Sequence, residues 1–228
     1  MKAVTLAGPP SSGKSAVTIK AIASLKQKGV TVGVVKFDSL STQDQQLYEK
    51  QGVPVTTGLS GNLCPDHFFV SNVEESLAWG VTSGFDLLVI ESAGLCNRCA
   101  PHIQGVLAIC VVDNLSGVNT PKKIGPMLKM ADIVVITKGD IVSQAEREVF
   151  AHRVRQVNAN ATILNVNGLT GQGADELGRL LQGAPETTSV TGKLLRFSLP
   201  AALCSYCLGQ RRIGADFQMG NVKKMAFS

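Results

Sequence analysis

Short apolar runs recur along the chain, and amphipathic or polar stretches separate them. Each run has four to seven residues and is rich in β-branched side chains, which predicts β-strands. FDLLVIE, residues 85–91, is nearly all apolar, which is typical of a strand buried on both faces of a parallel sheet. The predicted strands span residues 3–6, 31–37, 85–91, 107–113, 132–137 and 161–166, with a candidate seventh at 194–199.

Helical patterns lie between several of these strands, at residues 15–28, 43–51, 73–81, 124–129 and 143–158. Alternating strands and helices predict an α/β fold, with a mostly parallel sheet that carries helices on both faces. We expect one domain over residues 1–183. The pattern weakens beyond it, and residues 184–228 are predicted to form a short cysteine-bearing extension, packed on the same domain or on a partner.

Composition limits the classes of protein that fit this pattern. A chain of 228 residues with 44% hydrophobic and 17% charged residues can build the core of one globular domain. A net charge of +5 without long basic blocks, and 5% aromatic residues, argue against a nucleic-acid partner. The chain has no apolar run long enough for membrane insertion. Its first residues belong to a predicted strand that leads into the phosphate loop, so we expect no signal peptide. We therefore expect a cytoplasmic protein with reduced cysteines.

A phosphate-binding motif directly follows the first predicted strand. GPPSSGKS, residues 8–15, fits the pattern G-x-x-x-x-G-K-[ST] and precedes a predicted helix. The N–H groups of such a loop and the positive end of the helix cradle phosphate oxygens. Lys14 is predicted to reach the β- and γ-phosphates, and the Ser15 hydroxyl to bind Mg²⁺. The predicted nucleotide-binding residues of this segment are Gly8, Pro9, Ser11, Ser12, Gly13, Lys14, Ser15 and Ala16.

Three more segments follow predicted strands, at the sheet edge where ligands of such folds bind. ESAG, residues 91–94, stands where a Walker-B acid and a glycine that senses the γ-phosphate usually lie. TKGD, residues 137–140, is similar to the guanine-specificity motif [NT]-K-x-D, and the segment at 167–173 takes the place of the last base-contacting loop. This order predicts GTP, with ATP as the open alternative. The predicted residues are Gly94, Thr137, Lys138, Asp140, Asn167, Gly168 and Leu169.

With these segments the chain resembles the nickel-inserting maturation GTPases of hydrogenase and urease, within the signal-recognition-like class of dimerising P-loop GTPases. The matching segments are GPPSSGKSA, VVKFDSL, CPDH, DLLVIESAG, ADIVVITKGD and NVNGLTGQGADEL, within residues 1–182. The resemblance implies a homodimer in which Asp38 contacts Mg²⁺ and water and Glu91 is the Walker-B acid. The catalytic residues that it implies are Lys14, Asp38 and Glu91. The Mg²⁺ ligands that it implies are Ser15, Asp38 and Glu91. Thr137 departs from the usual Asn, residues 167–168 depart from Ser-Ala, and Asp66 is inserted in the urease-type Cys-Pro-His motif.

Two C-x-x-C pairs, Cys96/Cys99 and Cys204/Cys207, are a second chemical signal. Four thiolates suit a tetrahedral zinc or nickel site or a [4Fe–4S] cluster, although the pairs could instead meet across a dimer. The first pair follows ESAG at once, so it would move with the segment that the γ-phosphate orders. Cys110 lies in an apolar strand and is predicted to be core. Secondary candidate ligands are Cys64, His67 and His102.

Together these signals predict a GTPase of metallocentre assembly, whose nucleotide state gates a cysteine-bound metal ion or iron–sulfur cluster. Its partners would be a client metalloenzyme or the assembly factors of that enzyme. The alternative is an iron–sulfur ATPase that reduces or activates a partner metalloenzyme. A regulatory GTPase with a structural zinc site is a third hypothesis. A small-molecule kinase would need a lid domain and an acceptor pocket, for which the sequence gives no signal.

Overall fold

A computed structural model describes residues 1–96, 99–196, 209–218 and 220–227. Its seven strands form one sheet in the order β3-β2-β4-β1-β5-β6-β7, and all neighbours pair in parallel. The predicted α/β fold with a parallel sheet is confirmed. The strands are β1 (Lys2–Ala7), β2 (Val32–Asp38), β3 (Val55–Leu59), β4 (Leu87–Glu91), β5 (Leu107–Asp113), β6 (Ile133–Thr137) and β7 (Thr162–Asn165).

Helices cover both faces of the sheet, because alternate residues of a buried strand point to opposite sides. On β2, Val34 packs in the cluster that contains α1 and α7, whereas Val35 packs with α3. In the described part of the chain no helix combines the length and apolar character that a bilayer crossing requires. The helices are α1 (Lys14–Gln27), α2 (Asp44–Lys50), α3 (Pro65–Thr82), α4 (Thr120–Ile124), α5 (Pro126–Lys129), α6 (Gln144–Val157) and α7 (Ala174–Gln182).

The largest difference from the sequence prediction is the start of α3, which lies at Pro65 rather than at residue 73. Proline suits the first helical turn, in which Asp66 follows it directly. Phe68 and Phe69 then bury the first two turns against β2. The prediction missed residues 65–72 because the polar residues in this segment interrupt the helical spacing of its apolar residues. Consequently Cys64 is the N-cap of a helix and not an isolated loop residue.

Three other elements also differ from the prediction. β3 was not predicted, because VTTGL is a short edge strand with one glycine and two threonines. α7 was not predicted either, although its nine residues are strongly amphipathic. The helix expected at 124–129 is divided into α4 and α5, because Gly125 has a φ of 69°, which a right-handed α-helix cannot accommodate.

The described parts of the C-terminal extension pack on the same domain. Thr187 donates its backbone N–H to the Met1 carbonyl, and the amide of Asn72 on α3 donates to the Lys223 carbonyl. Within the candidate strand 194–199, Leu194 and Leu195 form isolated antiparallel bridges, and residues 197–199 lie outside the described part. The domain boundary at residue 183 stays a prediction.

Arg196 fixes the extension to the sheet. Its guanidinium donates two hydrogen bonds to the Asp132 carboxylate, at 2.7 and 2.8 Å. The same group donates to the carbonyls of Ile103, Val106 and Met130. Partial burial opposes the charged form of Asp132, but the Arg196 hydrogen bonds outweigh it and hold the pKa of Asp132 below its usual value. One side chain therefore joins the extension to the two loops that precede β5 and β6.

We predict that Arg196→Ala destabilises the protein by about 2–3 kcal/mol, because hydrogen bonds between charged groups contribute about 1.5–3 kcal/mol and the partners are left unpaired. Arg179→Ala is the matched control. Its ion pair with Asp175 lies on the surface, where solvent screens the charges, so its loss should cost much less stability than the loss of Arg196. Urea unfolding of both variants measures the difference. Equal losses would contradict the role given to Arg196.

Candidate functional site

The phosphate loop joins the central strand β1 to α1. Gly13 is the N-cap of α1 with a φ of 91°, and the helix N-terminus opens toward the loop. The Lys14 ammonium donates to the carbonyls of Gly8 and Pro9, both at 3.0 Å. Burial lowers the pKa of Lys14, and the nearby Glu91 charge opposes that shift. The loop thus surrounds a cation at the positive end of a helix, which suits phosphate oxygens.

Oxygen ligands converge beside Ser15, where β2 and β4 end and α2 begins. The Ser15 hydroxyl donates to Asp44 at 2.7 Å and lies 3.0 Å from a Glu91 oxygen. Lys36 lies among the carboxylates, at 2.5 Å from Glu91, 2.8 Å from Asp44 and 4.0 Å from Asp38. Hydroxyl and carboxylate oxygens are the ligands that Mg²⁺ takes, so these side chains fit that ion.

The buried charges of this cluster stabilise one another. Burial disfavours the Lys36 ammonium, yet the Glu91 and Asp44 carboxylates raise its pKa above the usual value. Burial also works against the Asp44 carboxylate, but the hydrogen bond from Lys36 lowers the pKa of Asp44 overall. Tyr48 donates to Glu91 at 2.9 Å, and burial followed by the Glu91 charge raises the pKa of that phenol. Glu91 is thus fully buried with three donors around it.

The loop and the oxygen cluster border one open cavity of about 380 Å³, a size typical of small-molecule sites. Lys14 and Asp38 line it, and Leu47 and Leu95 add apolar rims that are exposed to solvent.

Predicted base-contacting segments lie at the adjoining edge of the sheet. The Thr137 hydroxyl donates to the Ser12 carbonyl at 2.6 Å, and the Lys138 ammonium donates to the Ser11 carbonyl at 2.8 Å. Asp140 is exposed and lines a smaller cavity with Asn167. The second of these predicted loops also packs on the first turn of α1, since a Cβ on Gly168 would lie 2.9 Å from the Ala16 methyl carbon. The structure therefore brings the nucleotide-binding segments of the prediction to one edge.

Gly94 connects the loop after β4 to the phosphate loop. It has a φ of +72°, and a Cβ at this position would lie 1.7 Å from the Gly8 carbonyl oxygen and 3.4 Å from the Lys14 nitrogen. A side chain is therefore excluded on two grounds, backbone conformation and space. Two residues later the same loop carries Cys96.

A second polar cluster lies where this loop meets the start of α3. The sulfurs of Cys96 and Cys99 are 3.7 Å apart, and a carboxylate oxygen of Asp66 lies within 4.8 Å of both. Asp66 is buried, and neither of its carboxylate oxygens has a hydrogen-bond partner among the described residues. Cys64 and His67 line the cavity next to this cluster, together with Asp66 and Cys99.

Burial controls the ionisation of these groups. It raises the pKa of Asp66 to about 7 and the pKa of Cys64 to about 11. The pKa of Cys99 rises well above its usual value, first through burial and then through the Asp66 charge. Without a cation the thiols of Cys64 and Cys99 are therefore protonated, and a metal ion bound by Cys99 would displace its proton. Two sulfurs and one oxygen in this arrangement suit a transition-metal ion.

His102 does not belong to this cluster, although the sequence analysis predicted it as a secondary candidate ligand. Its Nδ1 lies 3.1 Å from the Thr5 hydroxyl and its Nε2 lies 3.0 Å from the Met127 carbonyl. Burial lowers the pKa of His102 to about 4, so the ring is neutral in the core. Cys110 is a core residue of β5, as predicted. Cys204 and Cys207 lie outside the described residues.

Sequence reasoning missed four residues of these clusters: Lys36, Asp44, Tyr48 and Asp66. Lys36 gave a usable signal, because a lysine inside the strand VGVVKFD needs a buried partner. Asp66 was noticed as an insertion in a motif, but no pattern indicated that its carboxylate would face Cys96 and Cys99. Asp44 and Tyr48 lie on a short helix without a chemical motif of its own.

Comparison with known proteins gives concordant results. The family model of the CobW/HypB/UreG nucleotide-binding domain matches residues 2–165. The chain is 46% identical over 225 residues to an uncharacterized protein of Methanocaldococcus jannaschii, with 99% of this chain and 96% of that protein covered. It is 30% identical over 194 residues to the urease accessory protein UreG of Edwardsiella ictaluri, with 76% and 90% covered. HypB from Helicobacter pylori, solved in complex with nickel, shares the fold with a TM-score of 0.64 at 19% identity, with 82% of this chain and 90% of that chain covered.

The contact of Gly94 with the phosphate loop gives a direct prediction. Gly94→Ala should destabilise the protein by more than the roughly 1–2 kcal/mol of left-handed strain, because its Cβ would overlap the Gly8 carbonyl. It should also weaken nucleotide binding at least tenfold. Gly84→Ala is the control, since Gly84 has the same φ of +72° and open space around it. Urea unfolding and titration with a fluorescent GTP analogue measure both effects, and indistinguishable variants would refute the steric argument.

Proposed function

Because the chain belongs to the CobW/HypB/UreG family of nucleotide-binding proteins, we propose that it is a GTPase of metallocentre assembly. Its nucleotide state gates a metal ion or cluster held by cysteines. One observation carries the proposal: the loop after β4 touches the phosphate loop at Gly94 and places Cys96 and Cys99 beside Asp66. A nucleotide-sensing segment and a thiol site are thus parts of one loop.

The nucleotide half of the proposal assigns roles to the residues around the larger cavity. Lys14 and the N-terminus of α1 bind the β- and γ-phosphates and neutralise their charge. Ser15, Asp38 and Glu91 hold Mg²⁺, and Asp44 is a further oxygen ligand in reach of that ion. When bound, Mg²⁺ supplies charge neutralisation on the phosphates. In this proposal Asp38 also orients the attacking water.

Guanine recognition follows from the segments at the adjoining edge. Asp140 accepts the guanine N–H groups, and the stem of Lys138 lies along the base. The hydroxyl of Thr137 takes the place of the usual Asn side chain, since it donates a hydrogen bond to the Ser12 carbonyl. The loop that begins at Asn167 closes the base site. ATP binding with equal affinity is the competing outcome.

In this proposal the thiols of the loop after β4 bind the metal. Cys96 and Cys99 are the described thiolate ligands, with Cys64 and His67 in the adjoining cavity. We retain Cys204 and Cys207 as further proposed ligands. Leu195 and Gln210, which bracket their segment, line that same cavity. The cargo is a zinc or nickel ion or a [4Fe–4S] cluster, and the relatives named above, a urease accessory protein and a nickel-bound HypB, favour the ion.

The proposal also includes the setting in which the protein acts. It acts as a homodimer in the cytoplasm, where thiols stay reduced. The loaded protein transfers its ion to a client metalloenzyme or to an assembly factor of that enzyme. An iron–sulfur ATPase that activates a partner is the alternative, and iron with inorganic sulfide in the isolated protein would favour it.

Guanine specificity is tested with Asp140→Ala. We expect GTP affinity to fall at least tenfold, since two charge-assisted hydrogen bonds are lost, while ATP affinity stays unchanged. Glu148→Ala removes an exposed carboxylate from α6 and is the matched control. Isothermal titration with GTP, GDP and ATP gives the affinities. A wild-type protein that binds GTP and ATP equally would contradict the role of Asp140.

Gating is tested by measuring zinc and nickel affinity with GDP and with a non-hydrolysable GTP analogue. We expect the two states to differ about fivefold or more, and the metal to change nucleotide affinity by the same factor, because coupling is reciprocal. Cys96→Ala and Cys99→Ala should lose the metal and keep the nucleotide. Cys110→Ala, which removes a buried thiol outside the cluster, should keep both. Identical metal affinities in the two states would refute gating.

A further inference from the structure

The thiol site is divided between a fixed element and the nucleotide-sensing loop. Asp66 lies in the first turn of α3, which is packed on β2 by Phe68 and Phe69. The rings of Phe68 and Phe69 lie 5.7 and 5.0 Å from the ring of Phe37 on β2. Cys96 and Cys99, in contrast, follow Gly94 on the loop that touches the phosphate loop. A ligand bound by both elements would bridge the core and that loop.

Within the described part of the chain, the Asp66 carboxylate has no partner of the kind that a buried charge requires. It is 5% exposed, and its two oxygens accept no hydrogen bond from the described residues. Burying a carboxylate without compensation is costly, so buried carboxylates are normally paired or coordinate metals. Arg212 lines the same cavity, but its guanidinium stacks 5.0 Å above the Phe217 ring. The two sulfurs, within 4.8 Å of an Asp66 oxygen, are thus the groups that a shared cation would bring together.

The donor set selects the chemistry of that cation. Two thiolates and one carboxylate carry three negative charges, which a divalent ion largely neutralises. Thiolates favour Zn²⁺, Ni²⁺ or Co²⁺ over Mg²⁺ and Ca²⁺, which take oxygen ligands. A [4Fe–4S] cluster takes four thiolates, whereas this group offers two sulfurs and an oxygen among the described residues.

We propose that Asp66 is a metal ligand, and that it holds one divalent transition-metal ion together with Cys96 and Cys99. This inference rests on the proposed function and names its cargo as a single ion. Binding forms two metal–sulfur bonds and one metal–oxygen bond, and the thiol protons pass to solvent. When the loop after Gly94 moves, it withdraws both sulfurs and leaves the ion on one carboxylate of α3. Displacement of one loop therefore converts a three-ligand site into a one-ligand site, which releases the ion.

The test compares the wild-type protein with Asp66→Asn, which keeps the shape of the side chain and removes its charge. Zinc affinity, measured by competition with a chromophoric chelator, should fall at least tenfold, while the Cys96 and Cys99 thiolates still give a charge-transfer band with Co²⁺. Asp216→Asn, which alters an exposed carboxylate of the extension, should leave zinc affinity unchanged.

Thermal unfolding provides a second readout that a purely structural role would not produce. Metal-free Asp66→Asn should melt higher than the metal-free wild type, because an unpaired buried charge has been removed. Zinc should raise the melting temperature of the wild type more than that of the variant. A metal-free variant that melts lower, with unchanged zinc affinity, would overturn the ligand role.

The outcomes separate this inference from the proposed function. If Cys96→Ala loses zinc and Asp66→Asn binds it as tightly as the wild type, Asp66 is not a ligand and the proposed function stands. If the wild type carries iron and sulfide, the inference of a single ion fails, whereas the proposal of a cysteine-bound cargo is kept. If the wild type binds neither ion nor cluster in any nucleotide state, the proposed cargo and this inference both fail.

Discussion

The close approach of Gly94 to the Gly8 carbonyl is the constraint on which the two halves of the site depend. No side chain fits between the two loops, so the chain after β4 lies directly on the loop that binds phosphate. The Lys14 ammonium, which bonds to the Gly8 carbonyl, would lie 3.4 Å from a Cβ at Gly94. A phosphate group that draws Lys14 away would therefore alter the surface on which Gly94 rests. In the proposed function, this contact is the route by which the residues after Gly94 respond to the nucleotide.

A buried network of charges links α1, α2, β2 and β4 at this edge of the sheet. Lys36 lies within 2.8 Å of both Glu91 and Asp44, and Tyr48 and Ser15 supply further hydrogen bonds. Burying such groups is costly, and the cost is offset because each charge has an opposite charge within hydrogen-bond distance. In the structure the Lys36 ammonium lies among carboxylate oxygens that also suit Mg²⁺. These buried carboxylates therefore need a neighbouring positive charge, whether it comes from Lys36 alone or from Lys36 together with Mg²⁺.

The thiol site has the opposite character, since the described residues give its buried carboxylate no hydrogen-bond partner. Asp66 is held by the packing of α3, while Cys96 and Cys99 belong to a loop whose position is set by Gly94. If the loop moves with the nucleotide, as we propose, the stability gained from a cation at Asp66 would depend on where the loop lies, and this dependence is a physical basis for coupling. By reciprocity the cation must also bias the loop, and through it the phosphate site.

The sequence by itself determined the strand–helix alternation, the phosphate loop and the order of motifs at strand ends, because each depends on neighbours within a few residues. It also identified Cys96 and Cys99, since C-x-x-C is a local pattern. The tertiary structure decided what lies opposite them. Asp66, thirty residues earlier in the chain, faces the thiols because α3 begins at Pro65 and packs on β2. Likewise Lys36 meets Glu91 because β2 and β4 are neighbours in the sheet, and His102 joins the core because Thr5 and Met127 take its two nitrogens. Such pairings join residues distant in the chain, so no local pattern could predict them.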